Sequence, residues 1–178
     1  MTAFARPSPL MCRRYARALV TSLVGFGLAA GAVVAQNLPV ERTLPQELAV
    51  EAARGAIAAC ERQGYHVSVG VVDRSGLIRA LIRGDGAGPH TLDSSSRKAY
   101  TAASLRRPTT ELAKMVSETP TVAGLRDMNE KILILGGGLP IKAGDEVIGG
   151  IGVGGAPGGD KDEACAQAGI ERISTRLK

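Results

Sequence analysis

The sequence predicts an α+β domain, a five-stranded antiparallel sheet with helices packed on it. Helix formers carry apolar residues at helical spacing over Gln46–Gln63 and Thr91–Leu105. Short alternating segments are joined by tight Asp/Gly turns, as hairpins are. The order helix, two strands, helices, three strands, helix makes hairpins the dominant connection, and hairpins make antiparallel sheets. No period of repeat length recurs, which excludes a solenoid.

Residues 1–35 stand apart. Arg6, Arg13, Arg14 and Arg17 occur without any acid and are followed by the apolar run Ala18–Ala35, with small residues Val33 and Ala35 before Gln36. This predicts a cleaved secretory signal peptide and a periplasmic or secreted product with no stable membrane anchor after cleavage. An uncleaved anchor is the alternative. Arg13-Arg14 also raises the twin-arginine route, although the following YARAL is a poor match. Cleavage leaves 18 basic against 17 acidic residues, so the net charge of +5 falls to +1. Tyr65 and Tyr100 become the only aromatics. Without a basic field or stacking platforms, nucleic acid is excluded as a partner.

An extended lead-in, 36–45, contains Pro39 and Pro45, and the domain proper runs over 46–178. Gln46–Gln63 places Ala49, Ala53, Ile57 and Cys60 on one helical stripe, and Gly64 ends it. His66–Asp73 puts Val67, Val69 and Val71 on one face and Ser68 and Gly70 on the other; Leu77–Arg83 alternates too, and Asp73-Arg74-Ser75-Gly76 is the turn between them. After the loop Gly84–Pro89 comes the Ser/Ala-rich helix Thr91–Leu105, then a short helix over Thr110–Val116. Lys131–Leu135 reads as a strand, followed by hairpin arms Leu139–Ala143 and Glu146–Val153 turning at Gly144-Asp145. The last helix starts near Asp160, where Asp160 and Glu163 are spaced as a capping box.

Gly150, Gly152 and Gly155 form G-x-G-x-x-G. A dinucleotide loop needs those glycines between a strand and a helix, with another strand after it. Here Gly150 and Gly152 fall inside a strand, and the chain beyond Ala156 has room for one helix only. On a strand, Val147, Ile151 and Val153 face one side, and Glu146, Ile148, Gly150 and Gly152 the other. Bare backbone there admits close approach, either by a helix lying flat or by a flat ligand.

Few residues could carry chemistry. His66 opens a strand, where it could be a solvated strand end, and His90 enters a helix, where it could be an N-terminal loop residue. Asp73 and Asp85 sit where turns favour Asp. Lys98 could bind an anion or, if desolvated, act as a catalytic amine. Ser94–Ser96 lack a nucleophile-elbow context. Cys60 and Cys165 are either a disulfide or two buried thiols. No H-x-x-x-H, C-x-x-C or C-x-x-C-H occurs, which removes common zinc patterns and covalent haem. No catalytic residue is assigned.

Taken in order, VGVVDRSGLIRALIRGDGAGPHTLDSSSRKAYTAA (Val69–Ala103), RRPTTEL (Arg106–Leu112) and GGLPIKAGDEVIGGIGVGGAPGGDKDEACAQAG (Gly137–Gly169) resemble the GlcG/HbpS family of haem-binding proteins, a module also found as the C-terminal domain of PduO-type proteins. The resemblance implies a profilin-like fold, homo-oligomers, and non-covalent haem as cofactor. It also implies a role in haem or iron storage, buffering or sensing, with a sensor kinase as possible partner. Asp85, Gly86 and Ala87 match the family's DGA loop, and Thr109 and Thr110 fall in a stretch this group places near its pocket. His90 is the first candidate for the iron ligand and His66 the second. Lys98, Gly150 and Gly152 complete the pocket candidates. With so few aromatics, haem is expected at a shallow or intersubunit surface. Two rival functions remain: a small-molecule enzyme of a catabolic pathway using Lys98 and Asp85, and a ligand-independent oligomeric module that binds a partner.

Overall fold

A computed structural model describes residues 36–178; the predicted signal peptide lies outside the described residues. Helix α1 spans Gln46–Glu61, strands β1 and β2 span Ser68–Asp73 and Ile78–Arg83, and α2 spans His90–Leu105. Then come α3, Thr109–Glu118, a 3-10 turn at Pro120–Arg126, β3 and β4 at Gly138–Ala143 and Glu146–Gly154, and α4, Gly159–Ile173. The strands form one antiparallel sheet in the order β2-β1-β4-β3. Helices α1 and α4 cover one face and α2 the other, giving three layers.

The main core lies under α1 and α4. Val67, Val69, Val71, Ile141, Ile151 and Val153 point into it from the sheet and meet the alanine-rich side of α1. Small residues let the two helices approach closely: a Cβ on Gly169 would lie 2.5 Å from the carbonyl oxygen of Ala52. Cys60 on α1 and Cys165 on α4 are joined by a disulfide, with Cα atoms 5.5 Å apart. The lead-in is part of the core at its end, because Leu44 is fully buried. No helix among the described residues is long and apolar enough to cross a membrane.

Three expectations are corrected. The sheet has four strands: Lys131–Leu135 crosses α2 instead of pairing with a strand. Its backbone is taken by helix side chains, since Arg97 Nη2 donates to the Ile132 carbonyl at 2.8 Å and the Leu133 N–H donates to Thr101 Oγ1 at 2.8 Å. The β3–β4 register shifts between Ile141, opposite Gly149, and Lys142, opposite Val147. Ile148 is thus an extra residue, and the bulge turns it into the core where strict alternation predicted Val147. Finally, α4 has no capping box. Gly158 is its N-cap and has no side chain to cap with, while the Glu163 carboxylate takes the hydroxyl of Thr110 instead.

The glycines of β4 carry α2. A Cβ on Gly150 would lie 2.3 Å from the Ala99 carbonyl oxygen, and one on Gly152 2.2 Å from that of Ser95. Across β1, Gly70 meets Ser96 in the same way, at 2.9 Å from its Cα. The helix therefore lies flat on bare backbone, and of the two readings of these glycines the structure shows helix packing.

Candidate functional site

Because α2 is seated on glycine, its polar side chains project to its flanks. On one flank His90, Ser94 and Lys98 follow at four-residue spacing and line a cleft of about 330 Å³. The opposite wall is the loop Gly154–Gly159, with Leu135 at the rim and Asp162 on the first turn of α4.

Lys98 and Asp162 close the inner end. Lys98 is 2 % exposed and Asp162 3 %. The Lys98 Nζ donates to Asp162 Oδ2 at 2.8 Å and to the Val153 carbonyl at 2.9 Å, and Asp162 Oδ1 accepts the Ala156 N–H at 3.0 Å. The pair thus locks α2 to β4, the glycine loop and α4. Burial pushes the Asp162 carboxyl up from its ordinary value; the hydrogen bond and charge of Lys98 and the Ala156 N–H pull the other way. Only glycine fits beside this pair at position 137, where φ is +114° and a Cβ would lie 2.6 Å from the Cβ of Asp162. The lysine is committed to this lock, which is not the free amine that a nucleophilic role would need.

The DGA loop is linked to the cleft through His66, whose carbonyl packs on the cleft residue Gly155. His66 donates from Nδ1 to the Asp85 carbonyl at 2.8 Å. A carbonyl only accepts, so Nδ1 carries a proton, and in the neutral ring it is then Nε2 that keeps the lone pair. Arg83 donates to the Ala87 carbonyl through Nε at 2.7 Å and Nη2 at 2.5 Å. Thr91 gives its proton to the Gly88 carbonyl at 2.6 Å, so in its 2.7 Å contact with Ser68 the serine is the donor. Each end of the loop is pinned, and two exposed imidazoles flank it. His90 packs over Gly88, where a Cβ would lie 2.7 Å from its Cε1.

The structure thus brings His90 and Lys98 into one cleft and places His66, Asp85, Gly86 and Ala87 beside it. Thr109 and Thr110 sit elsewhere, at the start of α3. Buried Thr109 accepts the Gly138 N–H at 2.8 Å and Thr110 reaches Glu163 at 2.5 Å, so they tie α3 to β3 and α4. Gly150 and Gly152 lie under α2. Asp162 and Gly137 escaped the sequence reading: in Asp160-Lys161-Asp162-Glu163 the spacing pointed to a cap, and nothing marks which acid turns inward.

A family model described as haem degrading protein, HbpS-like, matches residues 44–171. The chain belongs to the HbpS-like family. Among solved structures it is similar to a double mutant of HbpS from Streptomyces reticuli, with 47% identity and a TM-score of 0.71 over 80% of this chain and 97% of that one. It is also similar to PduOC solved as a haem complex, with 26% identity and a TM-score of 0.68 over 74% and 96% of the two chains. A 15.0 kDa protein encoded between dhaT and dhaS in Citrobacter freundii is 33% identical over 132 residues, 71% of this chain and 92% of that protein.

An iron porphyrin held without covalent bonds needs an axial donor from the protein. Both cysteines among the described residues, Cys60 and Cys165, are spent in the disulfide, which leaves imidazoles as the strongest donors there, near the loop. His66 presents a free Nε2 whose ring is oriented through Nδ1, the arrangement usual for a metal-bound histidine. Among the described residues no group of three or more His, Cys, Asp or Glu could cage a bare ion. The donor set is compatible with haem: His90, which lines the cleft, or His66 near it would be the residue to hold the iron, at an open site, since a cleft of about 330 Å³ is at the small end of ligand pockets.

Proposed function

We propose that this HbpS-like protein is an exported haem-binding module that stores, buffers or senses haem as a homo-oligomer. The observation that carries the reading is the pair of exposed imidazoles flanking one pinned loop, His66 with Nε2 free and His90 at the cleft. The disulfide supports export, because such bonds persist in oxidising compartments such as the periplasm. A sensor kinase is the partner that a sensing role would require.

Titrating purified protein with hemin tests the reading. A shifted Soret band with defined stoichiometry is expected, and His66→Ala with His90→Ala should remove its imidazole-ligated character. A spectrum that stays that of free hemin would refute haem binding. Sedimentation with and without hemin reports the assembly.

A further inference from the structure

The second flank of α2 carries its own groove, of about 450 Å³, against the edge strand β2. We propose that it is a second tetrapyrrole seat, with the Tyr100 phenol as the group that meets the iron; the proposal rests on the haem reading above.

Three features carry it. The floor is apolar and open: Val72 lies beneath, and Leu77 and Ile78 are 62% and 57% exposed, with Leu81 on the same strand 38% exposed. Large apolar side chains clustered in water at a groove are the kind of surface that binding sites use. The Tyr100 ring is held in place. Gly76, at φ +76°, lets it close down, since a Cβ there would lie 2.5 Å from two ring carbons, and Lys131 Nζ stands 5.5 Å from the ring centroid. Tyr100 lines the groove and its hydroxyl makes no hydrogen bond among the described residues, so its phenol oxygen is not committed elsewhere, and phenol oxygen is one of the donors haem iron accepts.

The rim can hold an anionic substituent. Lys131 has no carboxylate within ion-pair distance among the described residues, whereas Arg97 is occupied by Asp93 and the Ile132 carbonyl. Glu130 is the one rim acid left to oppose a propionate. Compared with the His90 cleft, this groove is larger and carries more apolar side chains.

Hemin and iron-free protoporphyrin IX, each titrated into the wild type and variants whose thermal melts show them folded, test the seat. His66→Ala/His90→Ala should still bind hemin with a high-spin ferric spectrum and a phenolate charge-transfer band. Tyr100→Phe should lose that band yet keep protoporphyrin IX binding, and Ile78→Glu should weaken both ligands about tenfold by placing a charge on the apolar floor. If hemin binding disappears entirely with the two histidines, or Tyr100→Phe changes neither spectrum nor stoichiometry, the seat is refuted while the haem reading stands. Failure of the wild type to bind hemin overturns both.

Discussion

Replacing Gly152 or Gly150 by alanine decides between a helix and a ligand as the reason for bare backbone in β4. The new Cβ at 152 would lie 2.2 Å from the Ser95 carbonyl oxygen, 2.5 Å from the Ala99 nitrogen and 2.9 Å from the Lys98 Cβ. Two of the three are helix backbone, which no rotamer change can move, so α2 must lift by about 1 Å or the strand must bend. Overpacking of this kind costs about 3 kcal/mol, well above the ~0.5–1 kcal/mol that Gly→Ala gains by stiffening the unfolded chain. With a urea slope of about 2 kcal/mol/M, the midpoint should fall by ~1.5 M, and Gly150→Ala should behave alike. Gly124 is the control: a Cβ added there would meet nothing within 4 Å, so Gly124→Ala should stay within about 0.5 kcal/mol of wild type. If Gly150→Ala and Gly152→Ala both unfold with the wild-type midpoint, α2 is not seated on these glycines and the flat-ligand reading returns.

Lys98→Met should cost about 3–5 kcal/mol by stranding a buried carboxyl, and Lys98→Met with Asp162→Leu should recover most of it in urea unfolding; equal losses in both would refute the lock. Burial raises the folded pKa of Asp162, so its contribution to stability is full below the ordinary carboxylate value and is lost as pH rises through the folded one. A carboxyl 13C titration should place its midpoint above that ordinary value, and higher again in Lys98→Met; a midpoint below it would contradict the direction given. Reducing Cys60–Cys165 releases a loop of 105 residues' separation and should cost about 2–5 kcal/mol, read as a lower midpoint with reductant, while the unreduced protein should show no alkylation at either cysteine.

The helices and both hairpins were legible because their signals are local: the alanine stripe of Gln46–Gln63, the valine alternation before Asp73, and Asp and Gly at the turns. Asp73 shows why, for its Oδ1 accepts the N–H groups of Ser75 and Leu77 at 2.9 and 3.0 Å, an interaction settled within five residues. The misread pieces depend on partners remote in sequence. Lys131–Leu135 has the composition of a strand, but Arg97 and Thr101 take its backbone, and Ile148 enters the core only through a bulge against β3. The candidate site divides likewise. His66, His90 and Asp85 stood out by residue type, whereas Asp162 acquires its role from a lysine 64 positions earlier.

One arrangement links these observations. A helix resting on side chains would spend its inner face on interdigitation and stand away from the sheet; α2, resting on Gly70, Gly150 and Gly152, sits at backbone distance. Its serines and alanines fill the seat, and its long side chains are forced to either side: His90 and Lys98 toward the glycine loop, Arg97 and Tyr100 toward β2. The segment Lys131–Leu135 then crosses between, setting Lys131 at one groove and Leu135 at the other. Neither groove could be as shallow as it is if the helix stood higher. Losing the glycine seat should therefore disturb both grooves together, even though none of the three seat glycines lines either.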